Sequence, residues 1–128
     1  MGPEPIRREF PPVTRTTLAL YAGASGDHNP VHIDSDVARA SGFPDVFAQG
    51  MLAMAYLGRL LTDCVPIDRL RAFSTRFLAV TRLGDNLTGT GTIEDWFTEG
   101  GEARVRIRLE LADQHGEVKL AGQAVVAL

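Results

Sequence analysis

Residues 50–63 read GMLAMAYLGRLLTD. Met51, Leu52, Met54, Tyr56, Leu57, Leu60 and Leu61, with Ala53 and Ala55, put apolar side chains on nearly every side of a segment built from good helix formers. A helix apolar all round is a buried one, so the rest of the chain must supply its cover. Core packing accounts for most of these positions, and a Met and Leu stripe is also suited to line a ligand pocket. The most apolar part, GMLAMAYLGRLL at 50–61, is interrupted by Arg59. It is well short of the roughly 20 residues that a membrane span needs.

Downstream of Pro66 the hydrophobic period changes to two. ARVRIRLEL, 103–111, sets Val105, Ile107, Leu109 and Leu111 on one face against Arg104, Arg106, Arg108 and Glu110 on the other, the pattern of a half-buried antiparallel strand. NLTGTGTI, 86–93, alternates Asn86, Thr88, Thr90 and Thr92 with Leu87, Gly89, Gly91 and Ile93. Glycines on the inner face imply close approach of something bulky, such as a helix. RAFSTRFLAV (71–80) and GEVKLAGQAVVAL (116–128) complete the set, separated by turns at 83–86, 98–101 and 113–116. The expectation is an α+β domain in which four antiparallel strands curl around the one buried helix. The first dozen residues, with four prolines, are expected to fray or to hold one edge strand.

Upstream, TRTTLALYAGASGD (14–27) offers Thr14 or Thr16 as an N-cap and Gly23 and Gly26 as terminators, so a short helix should stop just before Asp27. A helical turn is expected from Asp34 or Ser35 to Gly42, which leaves 27–33 as a loop.

With 128 residues, 45% of them hydrophobic, the chain suits one domain, 1–128. A formal charge of −3 gives no general pull toward nucleic acid or anionic lipid, and neither is expected as a partner. The cations are 12 arginines and one lysine. Arg69, Arg71, Arg76, Arg82, Arg104, Arg106 and Arg108 form either a local anionic-ligand surface or ordinary solvated strand positions. Cys64 is the only cysteine, which excludes an intrachain disulfide and a cysteine-rich zinc site and fits a reducing cytoplasm. MGPEPIRREFPP lacks the apolar run of a secretory signal.

The loop 26–32 reads GDHNPVH. Pro30 fixes its own φ and pushes Asn29 toward an extended conformation, so Asp27 and His32 sit on a stiff segment that one helix cannot carry. Read alone, Asp27 is a turn residue and His32 a satisfied histidine. Read together they are an acid–base pair, since an imidazole titrates near neutral pH. Gly50 then falls at the N-terminus of the buried helix, where free N–H groups and the helix dipole favour a developing oxyanion. Asp27, His28, His32 and Asp34 match no metal-ligand spacing, and no metal site is read from them. Ser25, His32 and Asp27 lack the nucleophile elbow of a hydrolase triad. No phosphate-binding glycine loop occurs, and no cofactor is expected.

These residues resemble a known family. YAGASGDHNPVHIDSDVARASGFPDVFAQGMLAMAYLG, 21–58, is similar to the signature of MaoC-like dehydratases, the (R)-specific enoyl-CoA hydratase (hydratase-2) family. The likeness lies in Y-A-x-x-S-G-D-x-N-P-[hydrophobic]-H-x-D, the following A-x-x-x-G-F and the G-M-L that opens the helix. RFLAVTRLGDNLTGTGTI (76–93) extends it more weakly. Two departures stand out: Gln49 occupies a position where many relatives have His, and the usual proline is missing near Thr81.

The resemblance implies a hot-dog fold, usually dimeric, with Asp27 and His32 as the catalytic pair, the Gly50 amide in the oxyanion hole and Asn29 in support. It implies a lyase that adds water to, or removes it from, an acyl chain carried on CoA or acyl carrier protein. The chain would pair with itself, or with a related hot-dog subunit. Two alternatives stand beside it. Hot-dog thioesterases share the fold but place a carboxylate on or near the central helix, and residues 50–62 hold none. A non-catalytic acyl-thioester-binding subunit would tend to lose the Asp/His pair.

Overall fold

The computed structural model describes residues 4–128. Strand β1 (Ile6–Glu9) is followed by helix α1 (Arg15–Ser25), a 3-10 turn at Pro30–His32, helix α2 (Ser35–Ala40) and helix α3 (Gly50–Cys64). A second 3-10 turn, Ile67–Arg69, leads into β2 (Leu70–Phe77), β3 (Thr88–Glu99), β4 (Glu102–Ala112) and β5 (Val118–Ala127). The five strands form one antiparallel sheet in the order β1-β3-β4-β5-β2, with α3 packed against it. This is the hot-dog arrangement expected from the sequence.

The alternation in β4 does what it promised. Val105, Ile107, Leu109 and Leu111 are fully buried and meet Leu52, Leu57, Leu60 and Leu61 of α3 in the core. Gly89 makes room for that helix: a Cβ there would lie 3.4 Å from Leu60 and 3.5 Å from Leu57. Gly91 instead accommodates the edge strand, since a Cβ would lie 2.8 Å from Ile6.

The N-terminal residues take the edge-strand option as β1, the fifth strand of the sheet. Two features differ from the sequence reading. The strand begun at NLTGTGTI runs on to Glu99, through a register shift between Ile93 and Asp95 that breaks the two-residue period. Helix α3 is buried along Leu52, Ala53, Leu57, Leu60 and Leu61 only, and Met51 is 56% exposed. A single sheet wraps part of a helix, and the far side of α3 stays open. Further exposed apolar residues, Phe77 and Leu78, lie at the end of edge strand β2. None of the helices described is long and apolar enough to cross a membrane.

Most strand arginines are the solvated kind. Arg71 and Arg104 share Glu102, Arg104 also bonds Glu99, and Arg106 bonds Asp95 while covering the Phe97 ring.

Candidate active site

Asp27 and His32 are brought together by local turn chemistry. Thr14 caps α1 by accepting from the Thr17 N–H, and Gly26 ends it in the left-handed region at φ 78°. The Asp27 N–H then donates to Ser25 Oγ, the Asn29 N–H to Asp27 Oδ1, and the Val31 N–H to Asn29 Oδ1. Each short polar side chain thus bonds backbone two residues away, as Asx turns do. Asn29 makes two of these contacts: its backbone N–H donates to the Asp27 carboxylate, and its side chain caps the 3-10 turn that carries His32.

His32 is 8% exposed, and its ring packs edge-on against Phe47 with centroids 4.9 Å apart. Nδ1 lies 2.7 Å from the Phe47 carbonyl. A carbonyl only accepts, so Nδ1 carries the hydrogen and Nε2 of the neutral ring is the basic nitrogen. Nε2 faces Asp27 Oδ2 at 3.8 Å, beyond direct hydrogen-bond reach. The Asp27 side chain is 44% exposed, so the pair opens outward.

Three residues after Phe47, Gly50 begins α3. As the first helical residue it has no acceptor for its N–H within the helix, and no side chain caps that end. A Cβ at Gly50 would lie 3.1 Å from Cε1 of Phe77, so the glycine lets that ring lie across the helix start. Gln49, the N-cap residue, is fully buried and donates from Nε2 to the Leu18 carbonyl at 3.1 Å, which ties the helix start to α1. Its Oε1 has no hydrogen-bond partner among the described residues.

Two grooves meet at this end of α3. One, of about 350 Å³, is lined by Phe47, Ala48, Gly50, Ala53, residues 77–81 and Leu120, and is apolar apart from Thr81. The other, of about 340 Å³, is lined by residues 43–47 with Val80, Arg82 and Leu83. Phe47 and Val80 belong to both. A third depression, of about 440 Å³, lies on the strands around Arg76 and Arg108. Asp27 and His32 line none of the three; the link from the pair to the two grooves is Phe47, on which the His32 ring packs. In the second groove, Asp45 accepts from Arg15, Ser35 and the Val46 N–H, which hold its carboxyl well below the usual carboxylate range. It fastens the 41–47 loop.

Ser25 Oγ accepts from the Asp27 N–H just past the end of α1, and Tyr21 packs half-buried against the core. What the sequence reading missed is Lys119, the chain's single lysine, which is 1% exposed and surrounded by carboxylates. Its solitary status among 12 arginines was the available signal.

The family description "MaoC like domain" matches residues 2–113. Over 120 residues the chain is 28% identical to the (R)-specific enoyl-CoA hydratase of Rhodospirillum rubrum, covering 89% of this chain and 78% of that one. It is 39% identical over 74 residues to the fatty acid synthase subunit beta of Aspergillus oryzae, a match that covers 55% of this chain and 4% of that much longer protein. Among solved structures, the (R)-hydratase of A. caviae involved in PHA biosynthesis superposes with a TM-score of 0.85 at 23% identity, covering 98% of this chain and 94% of that one. The ChsH1-ChsH2 complex of Mycobacterium tuberculosis gives 0.83 at 17% identity, covering 98% and 95%. At these identities both structures speak for the fold alone.

Proposed function

The chain belongs to the MaoC-like domain family of hydratases and dehydratases, and from that premise we propose that it is an (R)-specific enoyl-thioester hydratase, or (3R)-hydroxyacyl-thioester dehydratase, working as one domain with Asp27 and His32 as its catalytic pair. The observation that carries the reading is the orientation of His32: with Nδ1 engaged by the Phe47 carbonyl, the basic Nε2 is turned to Asp27 Oδ2 at 3.8 Å. A water oxygen between them reaches both.

In hydration, His32 Nε2 takes a proton from that water while Asp27 holds it in line. The water oxygen bonds to C3 of the trans-2-enoyl thioester, and the π pair moves through C2 toward the thioester carbonyl oxygen. The Gly50 N–H at the positive end of α3 stabilises the charge that develops there. C2 then receives a proton from the pair on the same face, so one water has been added and the pair is restored. Dehydration runs the same steps backward.

The apolar groove beside Gly50 takes the acyl chain. Arg82, exposed in the neighbouring groove, is placed to meet a phosphate of the carrier arm, whether that arm belongs to CoA or to an acyl carrier protein. Edge strand β2 and the exposed Phe77 and Leu78 support a dimer, with a second copy or a related hot-dog chain covering this end. Against a thioesterase stands the composition of α3. Its carboxylate, Asp63, lies at the far end and is bound to Arg8 and Arg59.

The test is the loss of enoyl absorbance with crotonyl-CoA, with free thiol followed in parallel. Absorbance loss without thiol release, abolished in Asp27→Asn and His32→Ala, is the expected result. Thiol release that survives in both variants would overturn the reading.

A further inference from the structure

The Lys119 ammonium donates to the Val80 carbonyl at 3.0 Å and to the Glu117 carboxylate, and lies 3.4 Å from Oδ2 of both Asp85 and Asp113. Three carboxylates are more than one cation needs for neutrality, and each has a second attachment or place in the chain. Asp113 accepts from the His115 and Glu117 N–H groups, each at 2.9 Å, and so shapes the β4–β5 turn. Asp85 accepts from the Arg82 N–H at 2.8 Å. The Lys119 carbonyl takes the N–H groups of Leu78 and Ala79 at 2.8 and 3.3 Å. Through one residue, the β4–β5 turn is therefore fastened to the segment 78–85.

That segment is the wall of both grooves, and its far side holds the site. The Thr81 carbonyl accepts from the Ala48 N–H at 2.8 Å, two residues before Gly50. Arg82 bridges to Phe47, whose carbonyl orients His32 Nδ1. Val80, gripped by the ammonium, is shared by the two grooves.

We propose that Lys119 is a positioning residue for the hydration reaction, setting the 78–82 segment that fixes both the His32 ring, through Phe47, and the Gly50 amide, through Ala48. The inference rests on the reading of Asp27 and His32 given above. An apolar side chain would fill the same buried volume without the desolvation cost of an ammonium. It would leave the Val80 carbonyl without that donor and the turn untied from the wall. A catalytic ring and an amide donor held to a few tenths of an ångström repay such anchoring, because small misplacements cost large factors in rate.

The experiment compares wild type, Lys119→Met and Asp85→Asn in crotonyl-CoA hydration, alongside the ¹⁵N shifts of the His32 ring. Lys119→Met is expected to lower kcat by about 10- to 100-fold with KM changed by less than about threefold. Asp85→Asn, whose neutral amide still offers an oxygen to the Arg82 N–H, is expected to move kcat the same way by less. In both, the His32 ring shifts move as the Phe47 contact changes. A folded variant with wild-type kcat and wild-type ring shifts would overturn the proposal. So would a loss confined to thermal stability, with the ring unmoved. If Lys119→Met does not fold, Asp85→Asn decides, because it leaves no added unpaired charge. If the wild type itself does not turn over crotonyl-CoA, the hydratase reading fails for that substrate, and the ring shifts decide whether Lys119 sets the His32 ring.

Discussion

At Lys119 a buried cation is met by a carbonyl, by the buried carboxylates of Asp85 and Asp113 and by the exposed one of Glu117, whereas at His32 a ring nitrogen and a carboxylate stop 3.8 Å apart with Asp27 partly exposed. Both clusters mount polar groups on turns next to the same end of α3. They differ in what is left over. Around Lys119 the hydrogen-bonding capacity is spent on the chain itself, so the cluster fixes geometry. Around His32 one nitrogen is spent on Phe47 and the other is kept back, which is the condition for handling a proton that belongs to something else.

The largest expected effect breaks the comparison from the catalytic side. His32→Ala or Asp27→Asn should cut hydration of crotonyl-CoA by about a thousandfold; the melting temperature of Asp27→Asn stays within a few degrees, since that side chain is partly exposed, while His32→Ala, which removes a buried ring packed on Phe47, lowers it further. Circular dichroism with a thermal melt checks the second half. Collapse of the fold in Asp27→Asn would make that aspartate a turn residue first.

The Lys119 cluster should behave the other way in stability. Removing a buried cation from its partners leaves carboxylates uncompensated and costs about 3 kcal/mol or more. Urea denaturation of Lys119→Met should show that loss, and Lys119→Met/Asp113→Asn should recover part of it. An unchanged midpoint in the single variant would mean that solvent reaches the carboxylates freely.

A smaller effect tests the ground between the clusters. In Gly50→Ala the new Cβ meets the Phe77 ring at 3.1 Å, and Phe77 is exposed enough to turn aside. The expected loss in kcat/KM is about tenfold, with the melt unchanged or raised because alanine favours helix over glycine. Repeating the substitution in a Phe77→Ala background isolates the steric part. If the two effects simply add, the Phe77 contact does not bear on the Gly50 amide.

How much of this was legible in the sequence follows from the range of each interaction. The turn that carries Asp27, Asn29 and His32 is held by contacts two or three residues long, so Gly-Asp-x-Asn-Pro made it legible, whereas the Phe47 carbonyl that orients the His32 ring lies fifteen positions away and no local pattern pointed to it. The faces of β4 and the glycines of β3 followed from a period of two, and Leu57 and Leu60 of α3 met them as expected. The continuation of β3 through Trp96 and Phe97 was hidden because the shift at Ile93/Asp95 interrupts that period. The open side of α3 was misread because apolar content reports that cover is wanted, not how far one sheet can reach. Lys119 was missed for the opposite reason to Asp27: its partners at Val80 and Asp85 are more than thirty positions away. Local pattern cannot bring them together.

The last prediction separates charged attachments by pH, and its sign follows from the direction of each shift. Arg71, then Arg104, donate to Glu102 and hold its carboxyl down to about 2 from an ordinary 4.5. Its contribution is present above 4.5 and is lost as the pH falls through about 2. Burial works against the Lys119 ammonium, but Glu117, Asp85 and Asp113 outweigh it and raise the group above its ordinary 10.5. That contribution is complete below 10.5 and is lost as the pH rises through the higher folded value. Thermal melts should therefore form a plateau between these limbs. Glu102→Gln should soften the acid limb slightly and leave the alkaline limb alone, because its pairs lie on a half-exposed face and are screened. Lys119→Met should remove the alkaline contribution. Added salt sharpens the contrast: it should shrink the Glu102 effect more than that of Lys119, whose pairs with Asp85 and Asp113 are buried and screened far less than its pair with the exposed Glu117. Equal salt sensitivity of the two limbs would mean that the Lys119 cluster is as open to solvent as Glu102, and the contrast between a buried cluster and an open one would fail.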